Sequence, residues 1–473
     1  MDADLKSMTK SSDNAEWIPA MQQACGPVYL AIADALEADI RSGSLAGGSR
    51  LPPQRNLADR LGIDFTTVSR AYSEAKRRGL VDGRVGLGTF VRNQPSVDAK
   101  PPRESGEVDM SMNLPPEFDD AGLAAHMWAS MSAVGALGGQ RLLMRYQEPG
   151  GTAQDRETGA RWLSPRLGQI PADRLLVCAG AQGALLAVAS SLAAPGDTIC
   201  TETLTYPGFR SLAAHAGIKL AGVAMDDEGI DPDSFEEACE KHAPKALYCT
   251  PTLHNPTTAT MPLKRREALI AVARKHRVPI IEDDAYGALA VDAPPPLAVL
   301  APDIVYYVGG LAKCLSPALR VAYLVAPDAR TASKLAGALR ATASTASPLT
   351  SALASRWILD GTATSVLRAI RAETAARQAI ASGILPPGLT KPNLSAYHLW
   401  LPLAEPWGRG EFASRLRTKG ISVVASDAFA LSSPPEAVRL GLGAASSREE
   451  LARSLQIAAD LLLQQPVMSL MVV

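Results

Sequence analysis

The chain has 473 residues, with 47 basic and 48 acidic side chains and a formal net charge of −1. That length predicts two or three domains at roughly 150 residues each, and the charge balance excludes a uniformly basic coat for nucleic acid. The balance is uneven, however: residues 50–92 carry nine Arg or Lys against four acids, a local excess of five, as expected of a small DNA-binding module.

The first 24 residues are polar and acidic, read as a flexible lead, and contain no apolar stretch of the signal-peptide kind. The six cysteines form no CxxC pair, so neither a zinc site nor a disulfide framework is expected. The apolar run 175–194 carries Gly180, Gln182 and Gly183 in its middle and reads as strand, turn and helix rather than a membrane span. A soluble, cytoplasmic protein is the expectation.

Residues 25–92 form the first predicted domain. Tyr29, Ile32, Ala33, Leu36 and Ile40 recur at helical spacing. A short helix follows with Leu57, Ala58 and Leu61 on one face, then a turn at Gly62-Ile63-Asp64. The next helix puts Val68, Ala71, Tyr72 and Ala75 on an apolar face and Thr66, Thr67, Ser69 and Arg70 on a polar one. Residues 80–92 alternate and carry Gly83, Gly86 and Gly88, which suits a two-stranded wing. Together these predict a winged helix-turn-helix whose third helix enters the major groove of double-stranded DNA. A winged helix that binds protein is the bland alternative. Residues 93–107 are polar and proline-bearing and read as a linker.

The stretch from Leu51 to Val91 resembles the DNA-binding domain of the GntR family without gaps. The resemblance implies DNA-binding roles for Arg55, Thr66, Thr67, Ser69 and Arg70, with Gly86 and Gly88 letting the wing approach the minor groove. Phe65 departs from it: many relatives carry a basic or polar residue there. An aromatic at this place either contacts a thymine methyl or weakens readout.

From Val108 onward, apolar strand-like runs alternate with amphipathic helices. This predicts a mostly parallel sheet covered on both faces, with ligands at the carboxyl ends of the strands. Five such ends carry polar groups. Ala181 and Gln182 open a helix whose amides suit a phosphate, with a plain strand-helix turn as the commoner alternative. Tyr206 follows a strand and is placed to stack on a flat ring. His254 and Asn255 follow another. Asp283, Asp284 and Tyr286 follow a fourth; adjacent buried acids need partners, and either a ring N–H or a metal would serve, though no ligand spacing is evident and no metal is expected. The last end carries Lys313, alone in an apolar run until Arg320. Desolvation should depress its pKa, giving the neutral amine that an aldehyde cofactor needs, and Arg320 could hold that cofactor's phosphate. A snorkelling lysine at a buried strand end is the alternative.

Residues 146–320, with their motifs in this order, resemble the fold-type I pyridoxal 5'-phosphate (PLP)-dependent aminotransferases, and the likeness spans nearly all of 108–473. It implies an α/β fold with a mostly parallel central sheet and a smaller C-terminal α+β subdomain from roughly 365 to 473. It also implies that Lys313 bonds the cofactor aldehyde, Asp283 pairs with the pyridine nitrogen, and Tyr286 and Asn255 bond the phenolic oxygen. Tyr206 would stack on the ring, and Ala181, Gln182 and Arg320 would hold the phosphate. Tyr146 would reach the phosphate of a neighbouring subunit in a homodimer, and Arg439 would bind a substrate or effector carboxylate.

Leu311 and Ala312 stand where many relatives place Ser or Thr, and Thr258 replaces the usual glycine, so phosphate binding would lean on Arg320 and backbone amides. A GntR-type module joined to such a domain is the architecture of the MocR subfamily, which residues 108–118 also resemble. The expected function is a PLP-binding, DNA-binding transcriptional regulator that senses PLP or an amine or amino-acid effector. A working aminotransferase with an accessory winged helix is the alternative. A scaffold that keeps only the fold is the third reading.

Overall fold

The computed structural model describes residues 17–19, 27–41, 44–45, 48–84, 88–92 and 107–464. The remainder of the lead, residues 93–106 of the linker and Gly86 lie outside the described residues. The chain divides into two compact units, Met1–Ser105 and Gly106–Val473.

The first unit contains α1 (Val28–Arg41), α2 (Gln54–Leu61), α3 (Phe65–Arg77), β1 (Val81–Arg84) and β2 (Gly88–Val91). Gly62 stops α2 in the left-handed conformation, with φ 63°, where a Cβ would be strained. Two residues later Asp64 caps α3 by accepting from Thr66 N–H at 2.8 Å. The apolar face expected on α3 is the buried one: Val68, Ala71, Tyr72 and Ala75. Val68, Tyr72 and Ala75 meet Leu36, Leu51, Leu57, Val81 and Val91 in one core. Arg78 ties α3 to α1 by pairing with Asp34, Glu37 and Glu74. β1 and β2 pair antiparallel as the wing.

The second unit begins with β3 (Val108–Asp109), α4 (Ala121–Met144), α5 (Ala153–Leu167), β4 (Leu175–Cys178) and α6 (Gly180–Leu192). It continues through β5 (Thr198–Glu202), α7 (Pro207–His215), β6 (Lys219–Val223), the ribbon β7 (Met225–Asp226) and β8 (Gly229–Ile230), α8 (Pro232–His242), β9 (Ala246–Cys249) and α9 (Leu263–His276). Next come β10 (Ile280–Asp283), α10 (Leu297–Leu300), β11 (Val305–Gly310), β12 (Ala322–Val325), α11 (Ala329–Thr342), α12 (Pro348–Leu359) and α13 (Thr362–Ile384). The last elements are β13 (His398–Pro402), α14 (Arg409–Thr418), β14 (Ile421–Ser422), β15 (Val424–Ala425), β16 (Ala437–Gly441) and α15 (Arg448–Leu463).

Seven strands form one sheet in the order β4-β12-β11-β10-β9-β5-β6. β12 runs antiparallel to β4 and β11, and every other pair is parallel. Every residue of β4, β9, β10 and β12 is buried, which is why β4, β9 and β12 read as continuous rather than alternating apolar runs. Apolar cores lie on both faces of the sheet: Leu176, Leu185 and Ile281 in one, Val177, Tyr307 and Trp357 in another.

A smaller sheet, β13-β16-β15, is antiparallel and packs on α14 and α15. Its core joins Leu399, Leu440, Phe412 and Leu455 with Val108 and Met110. The opening residues of the second unit are thus built into its last subdomain, where β3 pairs in parallel with β14. No helix among the described residues is long and apolar enough to cross a membrane.

Candidate cofactor site and nucleic-acid interface

The residues expected at the strand ends converge in the second unit. β10 ends at Asp283, which is 4 % exposed. One carboxylate oxygen, Oδ2, accepts from Tyr248 O–H at 2.9 Å, and the other, Oδ1, is buried with no hydrogen-bond partner among the described residues. Burial lifts this carboxyl to about 6, against the lowering bond from Tyr248. An unpartnered buried carboxylate oxygen costs about 1–3 kcal/mol, and among the described residues nothing donates to this one.

Asp284 behaves differently. Strand alternation sends it the other way, where Arg166 Nε donates at 2.9 Å and Tyr307 O–H at 2.9 Å. The two acids that look equivalent by position are thereby divided, one satisfied and one not.

Lys313 lies just past β11. Burial pulls its amine down to about 8; Arg439 and Arg320 act in the same direction and Asp283 against it. Its Nζ donates to the Asn113 backbone oxygen, and its own carbonyl accepts from Tyr397 O–H at 3.0 Å. Leu311, which stands where many relatives place Ser or Thr, is fully buried in the apolar core.

The phosphate-side residues meet as well. α6 begins at Gly180, with φ 76° and no side-chain cap, so its first amides are left for other acceptors. A Cβ at Gly180 would lie 3.5 Å from the Arg320 guanidinium, and one at Gly310 would lie 3.5 Å from Ala181. Arg320, itself exposed with φ 49°, is therefore beside Gly180 at the start of α6, the helix that Ala181 and Gln182 continue. Gln182 Nε2 donates to Tyr206 O–H at 3.3 Å. Tyr206 stands at the start of α7, half-buried, and the nearby Asp283 charge adds to burial in raising its phenol.

Arg439 comes from β16 in the small sheet. Its Nη1 donates to Asn255 Oδ1 at 2.8 Å and its Nη2 to Ser111 O at 2.6 Å, while Nε has no partner among the described residues. Its guanidinium carbon lies 5.1 Å from the Phe429 ring centroid. Tyr286 is buried and accepts from Asn113 Nδ2 at 2.8 Å. Tyr146 is not brought to this cluster: its side chain is fully exposed.

Several groups at the site were not singled out in the sequence. Asn113 touches both Tyr286 and Lys313. His398 lies 3.2 Å from Asn113 Nδ2 and, through its other nitrogen, 3.2 Å from His254 O; burial holds its imidazole down at about 3 and that of His254 at about 4, so both are neutral at ordinary pH. Tyr248 supports Asp283 and is itself stacked on Phe209, with ring centroids 3.7 Å apart. Strand parity carried a signal for Tyr248. It pairs with Ile281, two residues before Asp283, so both side chains share one face.

In the first unit Arg55, Thr66 and Arg70 are exposed, and Thr67 and Ser69 half-buried. The Arg55 guanidinium lies 5.9 Å from the Phe65 ring centroid, and that of Arg70 lies 5.4 Å from Tyr29. The Thr66 hydroxyl bonds Asp64 within the cap. Gly88 has φ 113°, and a Cβ there would sit 3.1 Å from Arg50 Nε. Its close approach is therefore to Arg50 of its own unit.

PLP meets this donor set on its own terms. Its ring nitrogen, once protonated, would offer the kind of donor that Asp283 Oδ1 lacks among the described residues. Its aldehyde needs the desolvated Lys313 amine, and its phosphate needs amides and a guanidinium.

A half-buried lysine whose amine feels the charge of Asp283, itself buried with one unpartnered oxygen, stands at the strand ends of an α/β sheet of the aminotransferase type. Residues 108–457 match the model of the aminotransferase class I and II family, and the chain belongs to that family. Residues 28–91 match the bacterial regulatory proteins of the gntR family, and the two together make the MocR type of regulator.

Among curated proteins, the chain is 29 % identical over 451 residues to the HTH-type transcriptional regulator YdeF of Bacillus subtilis, covering 94 % of this chain and 96 % of that one. It is 27 % identical over 428 residues to the vitamin B6 salvage pathway transcriptional repressor PtsJ of Salmonella typhimurium, covering 88 % and 95 %. Among solved structures, an archaeal alanine:glyoxylate aminotransferase superposes with a TM-score of 0.69 at 24 % identity, over 76 % of this chain and 91 % of that one. The α-aminoadipate aminotransferase LysN of Thermus thermophilus does so with a TM-score of 0.67 at 24 % identity, over 76 % and 93 %. These likenesses concern the fold.

Proposed function

We propose that this protein binds DNA through its winged helix and that its aminotransferase-like domain holds PLP as part of a sensor for an amine or amino acid. The observation that carries the cofactor reading is Asp283 Oδ1, buried and without a donor, in the same site as the desolvated Lys313 amine. When bound, PLP supplies an aldehyde that amines attack and a ring that withdraws electrons from what is attached.

The chain's own residues do the rest. Asp283, held in place by Tyr248, would keep a proton on the ring nitrogen. Tyr206 would hold the ring, and Arg320 with the first amides of α6 would hold the phosphate. Arg439 takes a carboxylate on the effector, its charge already oriented by Asn255 and Ser111. In this reading the molecule works as a homodimer, with Tyr146 contributed to the neighbouring subunit's phosphate. The relative named as a vitamin B6 salvage pathway repressor supports a regulator over an enzyme.

Reconstitution with PLP tests the cofactor site. The wild-type protein should gain the near-visible absorbance of a lysine-bound cofactor, and Lys313→Ala should not. Equal absorbance in both would remove Lys313 from the site.

A further inference from the structure

The opening residues of the second unit do more than lead into it. Val108 N–H donates to Gly420 O at 2.8 Å beside the β3–β14 pairing, and Gly441 N–H donates to Met110 O at 2.7 Å. A Cβ at Gly441 or Gly443 would overlap the Met112 or Leu114 carbonyl, so this stretch lies flat against the end of β16 and the residues after it. From that anchorage it crosses to the cofactor site. The Asn113 carbonyl accepts from Lys313 Nζ, and the Ser111 carbonyl accepts from Arg439 Nη2 at 2.6 Å. Asn113 Nδ2 holds Tyr286 O–H. Two cations assigned to ligands above are thus both bonded to backbone carbonyls two residues apart.

We propose that residues 107–114 form a strap that reads the state of Lys313 and Arg439 and passes it to the linker, with Asn113 as its positioning residue. The inference rests on the reading that Lys313 binds PLP. When a neutral amine condenses with an aldehyde, a C=N bond forms. The carbonyl oxygen leaves as water with the amine's two hydrogens. Nζ then has no hydrogen for Asn113 O. A carbonyl deprived of its donor in a buried setting shifts or finds another. A carboxylate arriving at Arg439 competes with Ser111 O for Nη2 in the same way. Because the strap is continuous in sequence with the linker, its displacement is delivered to the linker's end.

Hydrogen–deuterium exchange on the full-length protein, with and without PLP, tests this. In the wild type, exchange at the amides of 108–114 should rise at least about fivefold as the cofactor absorbance appears. Lys313→Arg keeps a donor for Asn113 O but has no amine to condense, and should show no rise. Asn113→Ala loses the bond to Tyr286 and should exchange faster before PLP is added, with little further change. The Lys313→Arg comparison decides the matter by itself if Asn113→Ala does not fold. Unchanged exchange over 108–114 in wild-type protein that has gained the absorbance overturns the strap and leaves the cofactor site standing. Failure to gain the absorbance at all overturns both.

Discussion

At the scale of single residues, the chemistry turns on how burial treats each charge. The Lys313 amine is pulled down to about 8 by burial and by two guanidinium groups. Only the neutral amine attacks an aldehyde, and below its pKa that form falls by roughly tenfold per pH unit. The initial rate of PLP uptake should therefore climb with pH and level off above about 8. Arg439→Ala removes a like charge, so it should move the inflection upward. A flat profile, or a downward shift in that variant, contradicts this assignment.

The same logic explains what was legible in the sequence. Lys313 and Asp283 stood out because charges in apolar runs are costly and need a reason. Asn113 did not, because its importance comes from partners 173 and 200 positions away. Nor could the fates of Asp283 and Asp284 be separated by composition. The partner of Asp284, Arg166, sits on α5, a helix earlier in the chain.

At the scale of elements, the first unit was readable because each of its signals is local. Gly62 ends one helix, Asp64 caps the next, and the apolar face of α3 follows helical spacing. Gly88 shows the limit of such reading. Arg50 lies close against it, a contact that depends on the packing of the wing rather than on the wing's own sequence. Arg55→Ala should weaken DNA binding across sequences and reduce the salt slope by about one, without changing the cofactor absorbance. An equal loss of cofactor would mean that the two sites are not separate.

In the second unit, the β–α alternation announced the sheet. The docking of β3 against the last subdomain was invisible, since it joins residues over 300 apart. Gly443 lies under the Leu114 carbonyl, so Gly443→Ala should destabilise this unit by about 1–3 kcal/mol through overpacking. An unchanged urea midpoint would show that the strap is not pressed against it.

At the scale of the whole molecule, the claim is that a cofactor site and a DNA-reading helix serve one purpose. The measurement that bears on it most directly is the affinity of the full-length protein for DNA fragments selected by the protein itself, read by fluorescence anisotropy at fixed salt with and without PLP. Specific binding that changes at least about tenfold on adding PLP, a coupling of about 1.4 kcal/mol, is the predicted result. Equal affinity in both conditions, with ordinary turnover of amino acid and keto acid, would contradict it and make the protein an aminotransferase that carries a winged helix.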